Sequence, residues 1–173
     1  MTSTSGEVDF PATWGMGVMM KLEELEKRVE ALEGLEKKVK VIEDTEAIKQ
    51  LHREYIYYLC NLEWGKMLDC FAEDATADIG EHGLCRGKEE ISGLFRNVLA
   101  NMITKRDGHM VGQPVITVEE DRAKGYWILY LFFQEPSVRW MQGRQDCEYV
   151  RVNGKWKFSS VKFTNPWPVP QEE

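Results

Sequence analysis

The stretch CEYVRVNGKWKF, residues 147–158, decides the fold of this chain. In it, Asn153-Gly154 separates two runs in which apolar and polar residues alternate, and this is the strongest short-range signal for a β-hairpin. Alternating runs also lie upstream, so the pattern predicts four strands at 109–118, 123–133, 139–152 and 155–163. Consecutive runs of this kind are typical of an antiparallel sheet.

Helical spacing dominates the part of the chain before these strands. Asp44 is the predicted N-cap of a helix that ends near Cys60, and further helices are predicted over 64–71 and 88–102, with a turn into a first strand at 73–78. Helices followed by a run of strands favour an α+β fold, in which a curved antiparallel sheet wraps around N-terminal helices. Such a sheet encloses a cavity, and a cavity is the default place for a ligand.

An additional helix is predicted ahead of this domain. Residues 1–18 are rich in Ser, Thr and Gly and are predicted to be disordered, whereas residues 19–43 carry apolar side chains at steps of 3 and 4, with one skip near Gly34. These are Leu22, Leu25, Val29, Leu32, Leu35, Val39 and Ile42. The helix either packs on its own domain or dimerises. The globular domain is expected over 44–165, followed by an extended Pro-rich tail at 166–173.

Charge and cysteine usage exclude several classes of function. The net charge of −7 argues against nucleic acid and anionic membranes as partners. The sequence shows neither a long apolar span nor a signal peptide. Four cysteines without a C-x-x-C pair are typical of free, largely buried thiols, and the expected compartment is therefore the reducing cytoplasm.

The order of these elements resembles the SnoaL-like branch of the nuclear-transport-factor-2-like superfamily, over residues 43–165. IKQLHREY (48–55), FAEDATAD (71–78), HMVGQPVI (109–116) and the 147–158 hairpin carry the resemblance. The branch includes scytalone dehydratase, bile acid 7α-dehydratase, hexachlorocyclohexane dehydrochlorinase and polyketide cyclases. The resemblance implies a cone-shaped, cystatin-like α+β barrel and a cofactor-independent lyase or isomerase, a dehydratase or cyclase, that acts on a hydrophobic small molecule.

The resemblance also suggests catalytic residues. His109 matches the branch's catalytic histidine and would act as the acid–base group. Tyr55 would donate a hydrogen bond to a carbonyl or leaving oxygen. The branch often places an Asp near the end of the Tyr55 helix, where this chain reads Leu59-Cys60-Asn61. Asn61 is the predicted substitute, and Glu63 is the alternative if the end of the helix is shifted.

Large apolar side chains are the expected walls of the pocket. In the strand 123–133, one face carries Trp127, Leu129, Leu131 and Phe133, and the other carries Tyr126, Ile128, Tyr130 and Phe132. The pattern does not choose which face points inward. Residues predicted to contact substrate are Trp64, Trp127, Tyr130, Leu131, Phe133 and Asn165. Such walls suit a polycyclic or aromatic ligand rather than a sugar or a phosphate.

Other functions remain open at this point. His52 and His82 have no helical partner for metal binding, and His52 is interpreted as exposed; no metal and no cofactor are expected. A non-catalytic module that binds a hydrophobic ligand is one alternative, and the small subunit of a ring-hydroxylating dioxygenase is another. The apolar helix and the open sheet face favour a homo-oligomer, either a dimer or a trimer.

Overall fold

The computed structural model describes residues 12–165, with side chains from Gly17 onward. The chain divides into two compact units, residues 1–42 and 43–173. The helices are α1 (Ala12–Cys60), α2 (Trp64–Asp69) and α3 (Gly87–Gly93), which continues through a π-helical turn, Leu94–Val98, and a 3-10 turn, Leu99–Asn101. The strands are β1 (Phe71–Ile79), β2 (Leu84–Arg86), β3 (Gly108–Glu119), β4 (Arg122–Phe133), β5 (Arg139–Val152) and β6 (Lys155–Thr164).

The six strands form one curved, unclosed sheet in the order β2-β1-β6-β5-β4-β3. All neighbouring strands are antiparallel except β1 and β6, which run parallel. Asn153 (φ 50) and Gly154 (φ 76) form the β5–β6 turn, and two positive φ values are what a two-residue hairpin turn requires. The predicted α+β fold class is confirmed, and its last four strands lie within one residue of the predicted bounds.

The helix α1 differs from the prediction at its start and at Asp44. It begins at Ala12, inside the segment predicted to be disordered, and it is continuous through residue 44. Asp44 therefore lies inside the helix and is not an N-cap. Its Oδ1 atom accepts hydrogen bonds from Nη2 of Arg151 (2.5 Å) and Nε1 of Trp156 (3.3 Å). Residues 1–11 and the predicted tail at 166–173 lie outside the described residues.

The core of the second unit lies between the inner face of the sheet and the helices. Along β4, the buried residues are Trp127, Leu129, Leu131 and Phe133. This result settles which face of the strand points inward. On α1, the buried residues are Ile48, His52, Tyr55, Ile56 and Leu59. All four cysteines lie in the described part of the chain and are free thiols, as the sequence predicts. None of the helices described here is long and apolar enough to cross a membrane.

Candidate functional site

A cavity of about 430 Å³ opens between α1, the turns that follow α3, and the inner face of the sheet. Its wall is mostly apolar. The apolar lining residues include Leu59, Phe95, Leu99, Ile103, Leu129, Leu131, Phe133, Met141 and Phe163. Two buried polar side chains, Tyr55 and Gln145, also reach the wall. Three polar residues on the wall, Glu81, His82 and Asn165, are exposed and therefore mark the open end.

Behind the polar part of this wall lies a buried hydrogen-bonded chain. His52 Nε2 is 2.8 Å from Gln145 Oε1, and His52 Nδ1 is 3.2 Å from the hydroxyl of Tyr149. Trp127 Nε1 donates to the same hydroxyl at 2.8 Å. At its other end, Gln145 reaches the cavity wall, as does Tyr55. The chain therefore runs from Trp127 to the cavity wall at Gln145.

The Gln145 oxygen at the cavity end of this chain sets the bond directions. A carboxamide oxygen can only accept, so Nε2 of His52 donates to it. The neutral ring then has no proton on Nδ1, so the Tyr149 hydroxyl donates to Nδ1 and accepts from the indole of Trp127. Tyr55, on the same wall as Gln145, carries an O–H that can donate to a bound ligand.

Burial fixes the protonation states of His52 and Tyr55. It lowers the pKa of His52 to about 3, so this imidazole is neutral at neutral pH, as the bond directions require. Burial also raises the pKa of Tyr55 above its ordinary value. The phenol therefore keeps its proton and remains a hydrogen-bond donor over the whole physiological range.

His109 lies beside this cavity rather than on its wall. On β3 it pairs with Leu131, and its ring centroid is 5.8 Å from that of Phe133. Leu131 and Phe133 both line the cavity. The imidazole is buried, and neither of its nitrogens has a hydrogen-bond partner among the described residues. Burial lowers the pKa of His109, so the ring is a neutral proton acceptor.

The residues around His109 supply no carboxylate contact to its ring. Cys60 sits against the backbone of His109, with its Sγ 3.4 Å from the His109 nitrogen. Asp107 is near, but its Oδ2 accepts from the Thr104 amide (2.7 Å) and its Oδ1 from the Gln134 amide (2.9 Å). Those two bonds hold the loop before β3. The side chain of α1 that contacts the His109 backbone is therefore a thiol.

Several residues that the sequence places in the site lie elsewhere. Asn61 is exposed, and both its backbone amide (3.1 Å) and its Nδ2 (2.8 Å) donate to the carbonyl of Tyr57, so its side chain closes the end of α1. Trp64 packs on Phe95 with ring centroids 6.3 Å apart, outside the cavity wall. Tyr130 lies on the outer face of β4, where its ring is 6.4 Å from that of Trp140.

Four of the remaining predicted residues line the cavity. They are Tyr55, Leu131, Phe133 and Asn165. Trp127 faces inward but stands behind the wall, as the first donor of the buried chain. The structure thus brings the predicted Tyr55 and His109 to the same side of the sheet, and it excludes Asn61, Trp64 and Tyr130 from the cavity.

Sequence reasoning missed the residues that support Tyr55. His52 is fully buried, not exposed, and it shares a helical face with Ile48 and Tyr55 at spacings of 4 and 3. That spacing was the available signal. Gln145 alternates with the buried Cys147 and Tyr149 on β5, so a period of two also places it inside. Glu81 and His82 follow the end of β1 in a 3-10 turn, and no pattern marks them.

Comparisons with known proteins agree with this architecture. Residues 40–162 match the SnoaL-like domain. The chain belongs to the SnoaL-like domain family. The match covers α1 from residue 40 onward, α2, α3, the strands β1 to β5 and β6 up to residue 162. Two cavity residues, Phe163 and Asn165, follow directly after it. No curated protein matches the chain.

Solved structures share the fold of this SnoaL-like domain at low identity. A cystatin-like protein of unknown function from Nostoc punctiforme is 22% identical, with a TM-score of 0.63, over 73% of this chain and 96% of that one. A hexachlorocyclohexane dehydrochlorinase, LinA type 3, from Novosphingobium barchaimii is 20% identical, with a TM-score of 0.64, over 71% and 86%. A candidate scytalone dehydratase from Novosphingobium aromaticivorans is 17% identical, with a TM-score of 0.65, over 76% and 97%.

Proposed function

We propose that this SnoaL-like domain is a cofactor-independent lyase or isomerase that acts on a hydrophobic small molecule in the 430 Å³ cavity. The observation that carries the proposal is the buried Tyr55 hydroxyl on the wall of a mostly apolar cavity, which it shares with Gln145, the last residue of the buried hydrogen-bonded chain. Family membership and the lyases among the similar structures support the same class of reaction. Four free thiols fit a reducing compartment such as the cytoplasm.

Tyr55 would bind the oxygen on which negative charge develops. An O–H donor that is already oriented needs no reorganisation when a carbonyl becomes an enolate, and in an apolar cavity such a bond is stronger than in water. Leu129 and Phe163 on the surrounding wall would position rings or alkyl groups of the substrate by contact and exclude water.

His109 would move the proton. Its neutral imidazole takes a proton from carbon beside the carbonyl, the bond from carbon to the hydroxyl oxygen breaks, and the imidazolium returns the proton to the departing hydroxide. The products are an unsaturated carbonyl compound and one water. Because His109 is not on the wall of the cavity, this role requires the side chain or its neighbours to move when substrate binds.

Mass spectrometry of reaction mixtures tests this proposal. Wild type, His109→Ala and Tyr55→Phe are each incubated with a panel of apolar β-hydroxy carbonyl compounds, including steroid and polyketide types. We expect loss of one water with wild type, and at least a 100-fold slower loss with either variant, the usual cost of removing an acid–base group or an oxyanion donor. Tyr57→Phe is the matched control, since Tyr57 is exposed on the same helix.

Two results would contradict the enzymatic role as stated. Equal product from wild type and His109→Ala would remove His109 from the mechanism. No product from any panel member, with tight binding of one of them by all the variants, would favour a different function.

That second function is a non-catalytic module for a hydrophobic ligand. The specific observation in its favour is the contact of Cys60 with the backbone of His109, where a family carboxylate could have stabilised an imidazolium. An imidazole whose pKa is lowered by burial, without an anion in contact, is a weak base for a carbon acid. The same apolar cavity would then serve for binding alone.

A further inference from the structure

A stripe of solvent-exposed apolar side chains runs along the first unit of the chain. Each of its side chains is at least half exposed, from 51% for Val39 to 68% for Ile42. They are Val18, Leu22, Leu25, Val29, Leu32, Leu35, Val39 and Ile42. A continuous exposed stripe of this size on a helix marks a surface that binds another protein.

The spacing of the stripe is that of a coiled coil. In heptad notation, the a positions are Leu22, Val29 and Val39. The d positions are Val18, Leu25, Leu32, Leu35 and Ile42. The step of three from Leu32 to Leu35 is a single stammer, which locally overwinds the coil without ending the stripe. In the middle of the stripe, from Leu25 to Val39, every a position is valine and every d position is leucine, the combination that favours two parallel strands.

The charges on either side of the stripe select one orientation of the two strands. Four of the five e positions are acidic, Glu26, Glu33, Glu36 and Glu43, and the first is Met19. The g positions beside the stripe are basic where they are charged, Lys21, Arg28 and Lys38. These side chains are exposed in the helix.

In a parallel dimer, each g residue meets the e residue five positions further along the other strand. Lys21 then faces Glu26 of the second copy, and Arg28 faces Glu33. Beyond the stammer, Lys38 faces Glu43 in the same way. An antiparallel dimer would instead place g beside g and e beside e, so that every charged contact would join like charges.

We propose that residues 18–43 bind a second copy of this chain as a parallel, in-register, two-stranded coiled coil. The partner is a second copy because the stripe and its flanking charges are complementary to themselves. This inference does not rest on the proposed function, since its tests measure mass and proximity rather than turnover.

The first test measures proximity in the full-length chain. Parallel, in-register strands bring the two copies of Leu25 together across the stripe, so Leu25→Cys should form an interchain disulfide under mild oxidation. Lys27→Cys is the matched control, because position 27 is exposed on the opposite side of the same turn. Wild type gives the background from the four native thiols. We expect a covalent dimer on non-reducing gels from Leu25→Cys alone.

The second test reverses the flanking charges. The acidic variant carries Lys21→Glu, Arg28→Glu and Lys38→Glu, and the basic variant carries Glu26→Lys, Glu33→Lys and Glu43→Lys. In sedimentation velocity at low salt, each variant alone should dimerise with a Kd raised about tenfold or more, and an equimolar mixture should recover the wild-type dimer. Because these side chains are exposed, we expect the substitutions to leave the folding of the second unit unchanged.

Three results would overturn the proposal. One is a wild-type chain that sediments as a monomer at the highest concentration reached. Another is the absence of a Leu25→Cys link in a dimeric protein, which would place the interface on another surface. The third is a pair of charge-reversed variants that dimerise as tightly as wild type.

Discussion

The Nε2 atom of His52 lies 2.8 Å from Oε1 of Gln145, and this contact joins a fully buried residue of α1 to the polar wall of the cavity. It holds the oxygen of the Gln145 carboxamide, so a helix residue that is not on the cavity wall fixes the orientation of a polar group that is. Four consequences of the structure can be measured.

The buried His52 should make the protein sensitive to acid. Its folded pKa of about 3 lies below the value of about 6.5 expected when unfolded. Between these values only the unfolded chain binds this proton. Stability is thus retained above pH 6.5 and lost as the pH falls toward 3, by about 1.4 kcal/mol per pH unit. Urea unfolding at several pH values measures this slope.

The control for that experiment is His52→Asn, which removes the titrating group. The variant is less stable at pH 7, because a fully buried ring is truncated, but its stability should fall less steeply between pH 6 and 4, by about 1.4 kcal/mol per unit. Equal slopes for the two proteins would show that His52 is protonated, or solvated, in the folded state.

Gln145→Leu should damage both stability and the site. It leaves the His52 N–H buried without an acceptor, which costs about 1–3 kcal/mol. It also replaces a polar group on the cavity wall with an apolar one. Thermal or urea unfolding checks the first effect, and ligand affinity or turnover checks the second. Gln134→Leu is the control, because Gln134 is exposed at the end of β4 and should leave both quantities unchanged.

Gly143 should not tolerate a methyl group. A Cβ there would lie 2.2 Å from Cε2 of Phe163 and 2.8 Å from the carbonyl oxygen of Thr164. Gly143→Ala must displace a ring that lines the cavity, and we expect a loss of about 1–3 kcal/mol in the free energy of unfolding. Gly112→Ala is the control, since a Cβ at that strand position meets nothing within 4 Å. Similar stabilities for the two variants would contradict the close packing of Phe163.

Cys60→Asp should raise the pKa of His109. In the wild type, burial lowers that pKa and a thiol occupies the nearby position. A carboxylate at residue 60 would favour the imidazolium by charge, at some cost in stability because the new charge is partly buried. An NMR titration of the His109 ring measures the shift. Cys60→Ser is the uncharged control, and an unchanged pKa in the Asp variant would mean that side chain 60 points away from the ring.

The sequence determines the elements of the second unit well. Its last four strands follow from strict alternation and from Asn153-Gly154, because each of these signals involves residues close in sequence. The continuity of α1 through Asp44 was not predictable in this way. The local sequence does not distinguish an Asp that caps a helix from an Asp inside a helix that binds distant residues. The partners of Asp44, Arg151 and Trp156, are more than 100 positions away.

The sequence by itself determined the α+β fold and the mostly apolar character of the cavity wall, because these follow from periodicity and from motifs that resemble the SnoaL-like branch, whereas the catalytic roles of Tyr55 and His109 stay predictions. Only the tertiary structure decided which face of β4 points inward, that Asn61 turns away, and that His52 is buried against Gln145. The His52–Gln145 bond joins residues 93 positions apart. Contacts over such distances depend on how a curved sheet closes over a helix, which no local pattern in the chain encodes.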